Sequence, residues 1–366
     1  MTTTLRIAYI INSVEGGGAE LAVPALTRVM RDAGASVRVF ALTRRDGRAL
    51  PRMQAAGLDP LVREGGLQDH WQALRWLHRE VRAWGATHLW TSLNRANTMG
   101  LLLGPYLGLP VICWQQAAHL RPWMRRLMRL LQSRAALWVG DSAYIADLTR
   151  QRLAVRKDRL MTWPIFAADP DQPVSAPWQP GQTLQLGSLG RLHPEKGYEE
   201  LIKALALLRR QGFTPPCPIR LTLAGEGKER ARLAALAARG GVADIVLPGY
   251  IDRPQHFLSG LHLYLQPSHS EGFCIAAHEA MVAGLPVLAS AVGEIQFSIR
   301  EGITGHTVPP RDVPALADRL GRMLAEPGRL HTMGAAARSL ILDRFSISRF
   351  NAAGQAIMRR ISATGA

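Results

Sequence analysis

Short apolar runs alternate along the chain with longer stretches in which apolar residues recur at helical spacing. In the first half the pattern predicts strands at 5–11, 37–42, 88–92, 111–115 and 137–141 and helices at 19–33, 68–84, 96–106, 120–137 and 143–152. In the second half it predicts strands at 184–188, 220–224, 245–247, 261–266 and 287–289 and helices at 199–211, 228–239, 313–326, 330–344 and 346–360. Strands that alternate with helices in this way predict an α/β fold with parallel sheets.

Proline recurs between Pro164 and Pro180, where the alternation stops. A proline-rich segment between two periodic regions is typical of a linker between domains. The chain has 366 residues, which is enough for two domains of ordinary size. We therefore predict one domain at 1–165 and a second at 166–345.

A run of three glycines, Gly16 to Gly18, follows the first predicted strand and precedes a helix. This order is typical of a Rossmann-like domain, but the dinucleotide-binding pattern G-x-G-x-x-G is absent. Because glycine has no side chain, Gly17 and Gly18 would let a ligand approach the backbone closely. A tight turn without a ligand explains the same residues, so both interpretations stay open.

The segment 268–290 combines a turn, a helix and a buried strand with two carboxylates. Good helix formers begin near Phe273, Gly284 ends the helix, and a short apolar strand follows. Glu271 lies just before the helix and Glu279 inside it, with seven residues between them. Carboxylates at these places can accept hydrogen bonds from the hydroxyl groups of a sugar.

The start of this helix is also a candidate anion site, because the first N–H groups of a helix have no partner within it. We expect the site to use the backbone amides of Gly272, Phe273, Cys274 and Ile275. Together with the two carboxylates, it would suit a ligand that carries both phosphate and sugar hydroxyls.

Three motifs in the second half give the chain a family resemblance. Glu271-Gly-Phe…Glu279…Gly284-Leu-Pro resembles the EX7E element of the retaining glycosyltransferases of family 4, which have the GT-B fold. Gly190-Arg191-Leu-His-Pro-Glu-Lys196-Gly and Ala-Gly225-Glu226-Gly continue the match. With the glycine-rich loop near the N terminus, the resemblance spans nearly the whole chain.

The resemblance implies two Rossmann-like domains facing a central cleft, with the C-terminal helix at 346–366 crossing back to the first domain. The C-terminal domain is then expected to bind a nucleoside-diphosphate sugar, with UDP as the expected nucleotide, and the N-terminal domain a saccharide acceptor, free or lipid-linked. The implied activity is retaining sugar transfer in the assembly of cell-surface polysaccharide or glycolipid. The nucleotide sugar is a substrate, and no cofactor is expected.

By the same resemblance, Arg191 and Lys196 would neutralise the diphosphate and stabilise the leaving group, which would replace a metal ion. Glu279 would accept hydrogen bonds from the ribose, and Glu271 would lie near the donor sugar. The remaining donor contacts are expected from residues in the turns beside the nucleotide, namely Gly190, Gly225, Glu226 and Ile251. The alternatives are that Arg191 and Lys196 lie in a solvated basic loop and that Glu271 and Glu279 are ordinary surface glutamates.

His119 follows the strand predicted at 111–115, and ligands of doubly wound sheets bind beyond the carboxyl ends of strands. Members of the family often carry a histidine here that contacts the donor sugar, so His119 is a candidate catalytic residue. The local pattern departs from the usual one, and a solvent-facing loop histidine is the alternative.

The net charge of +16 indicates an acidic partner, such as anionic lipid, nucleic acid or a phosphorylated substrate. A genome that favours arginine explains part of the charge equally well. The predicted helix at 120–137 places Trp123, Leu127, Leu130 and Leu131 on one side and five arginines on the remainder. Such a helix either lies in a membrane interface or packs on its own sheet.

The composition argues against a disulfide-rich protein and against a metal-binding site. Three cysteines without regular spacing argue against a disulfide framework, and His193, His269 and His278 lack the compact spacing of metal ligands, so no metal is expected. A nucleotide-sugar isomerase on a similar scaffold and a basic nucleic-acid-binding protein are the alternatives. No recognisable nucleic-acid-binding module supports the second.

The N terminus is expected to be a first strand and not a signal peptide. The longest apolar run, 101–113, is broken by glycine and proline and is too short to span a bilayer. We therefore expect a cytoplasmic protein, either free or peripheral on the inner face of the cytoplasmic membrane.

Overall fold

The computed structural model describes residues 5–242 and 244–364. The chain divides into two compact units, one running up to Phe166 and resuming at Ser348, the other spanning Ala167–Ile347. The division falls inside the proline-rich segment. Most of that segment is held by the second unit, since Ser175 donates to the carbonyl of Leu261 (2.6 Å) and Gln172 to that of Glu279 (2.9 Å).

The described residues of the first unit form a seven-stranded parallel sheet in the order β3-β2-β1-β4-β5-β6-β7. Its strands are β1 (Arg6–Ile11), β2 (Ser36–Ala41), β3 (Leu61–Val62), β4 (His88–Ser92), β5 (Val111–Gln115), β6 (Leu137–Gly140) and β7 (Leu160–Thr162). Its helices are α1 (Gly18–Leu21), α2 (Val23–Asp32), α3 (Leu50–Ala55), α4 (His70–Trp84), α5 (Asn94–Leu107), α6 (Pro122–Leu131) and α7 (Ala143–Leu153).

The described residues of the second unit form a six-stranded parallel sheet in the order β10-β9-β8-β11-β12-β13. Its strands are β8 (Leu184–Leu189), β9 (Ile219–Ala224), β10 (Ile245–Gly249), β11 (Leu263–Gln266), β12 (Val287–Ser290) and β13 (Gly305–Val308). Its helices are α8 (Tyr198–Arg210), α9 (Arg230–Gly240), α10 (Pro254–Ser259), α11 (Ile275–Val282), α12 (Ile295–Ser298), α13 (Val313–Ala325) and α14 (Leu330–Arg344). Single 3-10 turns occur at Gln132–Arg134, Lys157–Arg159, Pro194–Lys196 and Pro327–Arg329.

The last helix, α15 (Ile347–Thr364), packs on the first unit from Ser348 onward. Its Phe350 ring lies 5.5 Å from that of Trp163, and a side chain at Gly354 would collide with the same indole. Trp163 in turn packs edge-on against Trp90, so aromatic burial anchors the helix. This is the return of the C-terminal helix that the resemblance implies.

The α/β prediction with two parallel sheets is confirmed, and most strand positions agree within two residues. Two predicted helices differ. The helix predicted at 19–33 is two helices, since Pro24 starts a new one, and the helix predicted at 120–137 ends at Leu131, where a 3-10 turn begins. Elements too short to show periodicity, such as β3 and β13, were not predicted.

Among the residues that the structure describes, no helix has both the length and the apolar character that a bilayer crossing requires.

Candidate active site

The strand order of the second unit places two predicted motifs next to each other. Strands β8 and β11 are hydrogen-bonded neighbours, with Leu186 opposite Leu263, although two strands and their helices separate them in sequence. The chain order of the sheet reverses between these two strands. Ligands of doubly wound sheets bind at such a switch point, beyond the carboxyl ends of the strands. The loops that follow β8 and β11 carry the Arg191–Lys196 motif and Glu271.

Close backbone contacts fix the loop after β8, and they require glycine. Gly197 has a φ of +66°, and a Cβ there would lie 1.9 Å from the carbonyl oxygen of Pro267 in the neighbouring loop. On the other side, a Cβ at Gly225 would lie 2.0 Å from the carbonyl oxygen of Gly190. Any side chain would separate these loops. The glycines of the sequence motifs therefore hold the loops after β8, β9 and β11 together.

The two loops meet through an ion pair. Lys196 Nζ lies 2.7 Å from Glu271 Oε1. Ser268 Oγ donates to the same oxygen at 2.7 Å, and Gln266 Nε2 does so at 3.1 Å. The Glu271 side chain is 11% exposed and that of Lys196 24%. Three donors on one oxygen hold the carboxylate in place, and the carboxylate positions the ammonium group.

The ion pair keeps Lys196 charged. Burial alone would lower the pKa of Lys196, but the adjacent Glu271 carboxylate outweighs it, so the pKa lies above its ordinary value. The neighbouring Tyr198 hydroxyl is buried, and burial raises its pKa to about 12. Tyr264, also buried, donates to Gln266 Oε1 at 3.0 Å. Lys196 and Glu271 thus provide the charges in a layer of neutral hydrogen-bonding groups.

Helix α11 begins at Ile275, four residues after Glu271. Its N-cap residue, Cys274, has a φ of +69°, a left-handed conformation that is uncommon for a residue with a side chain. His278, fully buried, contacts the Cys274 carbonyl oxygen through Nδ1 (3.0 Å) and Ser298 Oγ through Nε2 (2.7 Å). Burial lowers the pKa of His278 to about 3, so the ring is neutral. His278 therefore supports the turn and is not placed as a metal ligand.

The remaining candidate residues for donor binding differ in their position and exposure. Glu279 lies on the second turn of α11 and is half-buried. Arg191 and Glu226 are exposed, and the Leu192 amide donates to the Glu226 carbonyl at 2.7 Å. Ile251 is half-buried and follows β10, whose Gly249 accepts from the Gly225 amide. The structure brings Lys196 and Glu271 into contact, and it places Gly272, Phe273 and Ile275 at the helix start beside them.

Three candidate residues belong to the first unit. Gly17 is the N-cap of α1, and Gly18 is its first residue. A Cβ at Gly17 would lie 2.5 Å from Glu20 Oε2, the end of a flexible side chain. His119 lies in the loop between β5 and α6 and is exposed.

The apolar face predicted for the basic helix was wrong at Trp123 and Leu130. In α6, Met128 and Leu131 are buried and Met124 and Leu127 pack against the same core, so the inward face follows the 3.6-residue period from Met124. Trp123 and Leu130 point outward instead, with exposures of 55% and 77%. Beside this helix lies a surface pocket of about 450 Å³ lined by Arg125, Arg126, Arg129, Gln151 and Arg152.

Within the described residues, no three His, Cys, Asp or Glu side chains lie close enough together to hold a metal ion.

Sequence reasoning missed the residues that hold Glu271. Ser268 and Gln266 lie within or beside the segment identified from sequence, but nothing in their spacing shows that both donate to Glu271. The position of Gln266 could have indicated its role, since it is the last residue of a strand and ligands of such sheets bind beyond the carboxyl ends of strands.

Part of the chain resembles known glycosyltransferases in sequence. Residues 177–340 match the family model described as glycosyl transferases group 1. A D-inositol 3-phosphate glycosyltransferase of Frankia alni is 34% identical over 223 residues, which is 52% of this chain and 53% of that protein. A glycogen synthase of Mycobacterium tuberculosis is 35% identical over 161 residues, covering 43% of this chain and 38% of that protein. The chain thus spans about half the length of such relatives, or less.

Solved structures cover the chain more fully at lower identity. Anabaena HepE in complex with UDP and glucose aligns with a TM-score of 0.82 at 19% identity, over 98% of this chain and 100% of that one. Sucrose-phosphate synthase from Thermosynechococcus elongatus gives a TM-score of 0.81 at 20% identity, over the same shares. The chain therefore has the GT-B fold, and its residues 177–340 resemble the glycosyl transferases group 1 family.

Proposed function

We propose that the protein is a retaining glycosyltransferase that moves a sugar from a nucleoside-diphosphate sugar to a saccharide acceptor. The observation that carries the proposal is the Lys196–Glu271 pair at the switch point of the second sheet, beside the start of α11. A fixed cation and the N–H groups at a helix start suit a diphosphate. The HepE complexes with UDP and UDP-glucose support UDP as the nucleotide.

In this proposal Lys196 acts on the diphosphate as it leaves. Its ammonium group is already ordered by Glu271, so little reorganisation is needed when charge develops on the leaving group. Arg191 follows β8 by two residues, is exposed and is free to turn toward the same phosphates. Two cations supplied by the protein make a divalent metal unnecessary, and metal independence is part of the proposal.

Glu279 is proposed to accept hydrogen bonds from the ribose hydroxyls, and Glu271 to lie near the donor sugar. Both carboxylates are close to the start of α11, one just before it and one on its second turn. The main-chain atoms of Gly190, Gly225 and Ile251 would line the nucleotide. His119 is proposed to contact the donor sugar, and Gly17 and Gly18, also in the first unit, are proposed to bind the donor.

Retention of configuration is proposed to follow a same-face route, in which the departing phosphate helps to remove the proton of the acceptor hydroxyl. Such a route needs charge stabilisation more than a strong protein base. Lys196, Arg191 and the backbone amides supply that stabilisation. The neutral His278 is buried and bonded through both nitrogens, so it does not serve as a base.

The acceptor is proposed to be presented at a membrane, in the assembly of cell-surface polysaccharide or glycolipid. Trp123 and Leu130 are exposed on α6 next to a pocket lined by four arginines. An exposed indole beside arginines suits the interface of an anionic bilayer. A lipid-linked saccharide would meet the enzyme at that surface.

The experiment that tests the proposal measures nucleoside diphosphate release from a panel of nucleotide sugars, with and without saccharide acceptors. We expect UDP release that an acceptor stimulates, a product with the anomeric configuration of the donor, and no loss of rate with excess chelator. If no nucleoside diphosphate is released from any donor, the proposal is wrong. A nucleotide-sugar isomerase would convert the nucleotide sugar into an isomer without releasing nucleoside diphosphate. Neither that alternative nor nucleic-acid binding is favoured by the relatives described above.

A further inference from the structure

The first unit contains two nearly buried arginines that share a single carboxylate. Arg63 follows β3 directly and is 8% exposed, while the side chain of Arg95, in the first turn of α5, is 12% exposed. Arg63 Nη2 lies 2.6 Å from Asp69 Oδ2, and Arg95 Nη2 lies 2.9 Å from Asp69 Oδ1. Two guanidinium groups face one carboxylate, so the cluster carries one surplus positive charge.

The surplus charge is accompanied by unsatisfied hydrogen-bond donors. Among the described residues, neither Arg63 Nη1 nor Arg95 Nε finds an acceptor, and both atoms are buried. Asp69 does not accept from either atom, since its oxygens accept from Nη2 of each arginine and from the Gly66 amide. The hydrogen bond from Arg63, with those of Gly66 and Arg95, lowers the pKa of Asp69 to about 2, so it stays ionised. A buried charge without a full counter-charge destabilises a fold unless a ligand completes it.

The cluster lies at the ligand-binding edge of the first sheet. Arg63 and Arg95 come from the loops after β3 and β4, at the carboxyl ends of parallel strands. The amide of Ala96 donates to Asn12 Oδ1 (2.9 Å), which ties this turn to the start of the glycine loop after β1. Leu93, the N-cap of α5, has a φ of +74°, and strained backbone of this kind concentrates at functional sites.

A glycine makes room for the charged group. A Cβ at Gly65 would lie 2.1 Å from Arg63 Nη1, so a side chain there would displace the guanidinium from its present position. The loop 64–66 therefore covers the arginine closely, and Arg95 Nη1 donates to the Gly66 carbonyl at 3.2 Å. The arginine pair is thus built into the fold and is not a pair of surface side chains.

We propose that Arg63 and Arg95 bind an oxyanion on the acceptor, either a phosphate or a carboxylate. The inference rests on the proposed function, which assigns the acceptor to the first unit. A guanidinium fork matches both anions through paired N–H groups. The bound oxyanion supplies the second negative charge that the two arginines lack. The first unit thereby selects acidic acceptors over neutral ones.

The test is a calorimetric titration of the whole protein saturated with UDP, which fills the donor site so that added anions do not bind there. The ligands are inorganic phosphate, glucose 6-phosphate, glucuronate and, as the neutral control, glucose. We expect at least one sugar anion to bind at least tenfold more tightly than glucose. Comparing the affinities of glucose 6-phosphate and glucuronate shows whether phosphate or carboxylate is the preferred group. Arg95→Gln should abolish the preference, and Arg95→Lys should retain only part of it.

The control variant is Arg79→Gln, because Arg79 is on α4 of the same unit and 71% exposed. It should bind the anions as wild type does, and UDP affinity should be unchanged in every variant. Equal binding of all ligands to wild type would overturn the inference, as would a preference that survives both Arg95→Gln and Arg63→Gln. If UDP itself does not bind, the proposed function is wrong. The same titrations without UDP then show whether Arg63 and Arg95 bind an oxyanion.

Discussion

Lys196 donates a 2.7 Å hydrogen bond to Glu271, a residue 75 positions further along the chain. The contact exists because β8 and β11 are neighbours in the sheet and because Gly197 lets one loop touch the other. It brings a cation, a carboxylate and a helix start to one point.

Gly197→Ala should destabilise the second unit and weaken donor binding together. The new methyl group would meet the Pro267 carbonyl, and overpacking of this kind typically costs about 1–3 kcal/mol. Gly212→Ala is the matched control, since Gly212 also has a positive φ (+76°) but nothing within 4 Å. Denaturant unfolding should show a larger loss for Gly197→Ala, and UDP titration a loss only for that variant. Equal losses would mean that backbone conformation alone matters.

Glu279→Ala should weaken binding of the preferred nucleotide sugar. A hydrogen bond to a charged acceptor is typically worth about 1.5–3 kcal/mol, so we expect roughly a tenfold to hundredfold rise in the dissociation constant. Calorimetric titration measures this directly. Glu326→Ala, which removes an exposed glutamate of the same unit, is the control. Unchanged affinity in a folded Glu279→Ala protein would rule out the ribose contact.

His278 should make the protein sensitive to acid. Its pKa is about 3 in the fold, below the ordinary 6.5, so the unfolded chain takes up the proton first. The stability that the neutral ring contributes is complete above pH 6.5 and is lost as pH falls toward 3, at no more than about 1.4 kcal/mol per pH unit. His278→Gln should flatten this slope in urea unfolding measured from pH 7.5 to 4. His331→Gln, an exposed histidine of the same unit, should not.

Binding to anionic vesicles should depend on α6. Each basic residue near an anionic surface adds about 1 kcal/mol, screened over roughly 8 Å at physiological salt. We expect flotation with anionic vesicles that added salt weakens, and none with neutral ones. Changing Arg125, Arg126 and Arg129 together to Gln should weaken it, and so should Trp123→Ala. If neither change has an effect, the membrane proposal is withdrawn and the donor site is unaffected.

The sequence was sufficient for the α/β fold with two parallel sheets because long alternating elements leave a clear period. It also identified Lys196 and Glu271, which lie in motifs. It did not reveal Ser268 and Gln266 as partners of Glu271, because their contact depends on the turn after β11. The inward face of α6 was misplaced because Trp123 and Leu130 are apolar yet exposed. Arg63 and Arg95 show no shared pattern along the chain.

The central claim is that Lys196 holds the diphosphate of the donor. Its most direct test compares UDP affinity and turnover of wild type, Lys196→Ala and the control Lys203→Ala, whose lysine is exposed and paired with Glu199 on α8. Removing one preorganised charge-stabilising contact typically costs about 2.7–4 kcal/mol in rate, so we expect a hundredfold to thousandfold loss for Lys196→Ala alone. Because the pKa of Lys196 is raised, wild-type UDP affinity should not fall between pH 6 and 9 through this group. A folded Lys196→Ala protein with wild-type affinity and turnover would contradict the account.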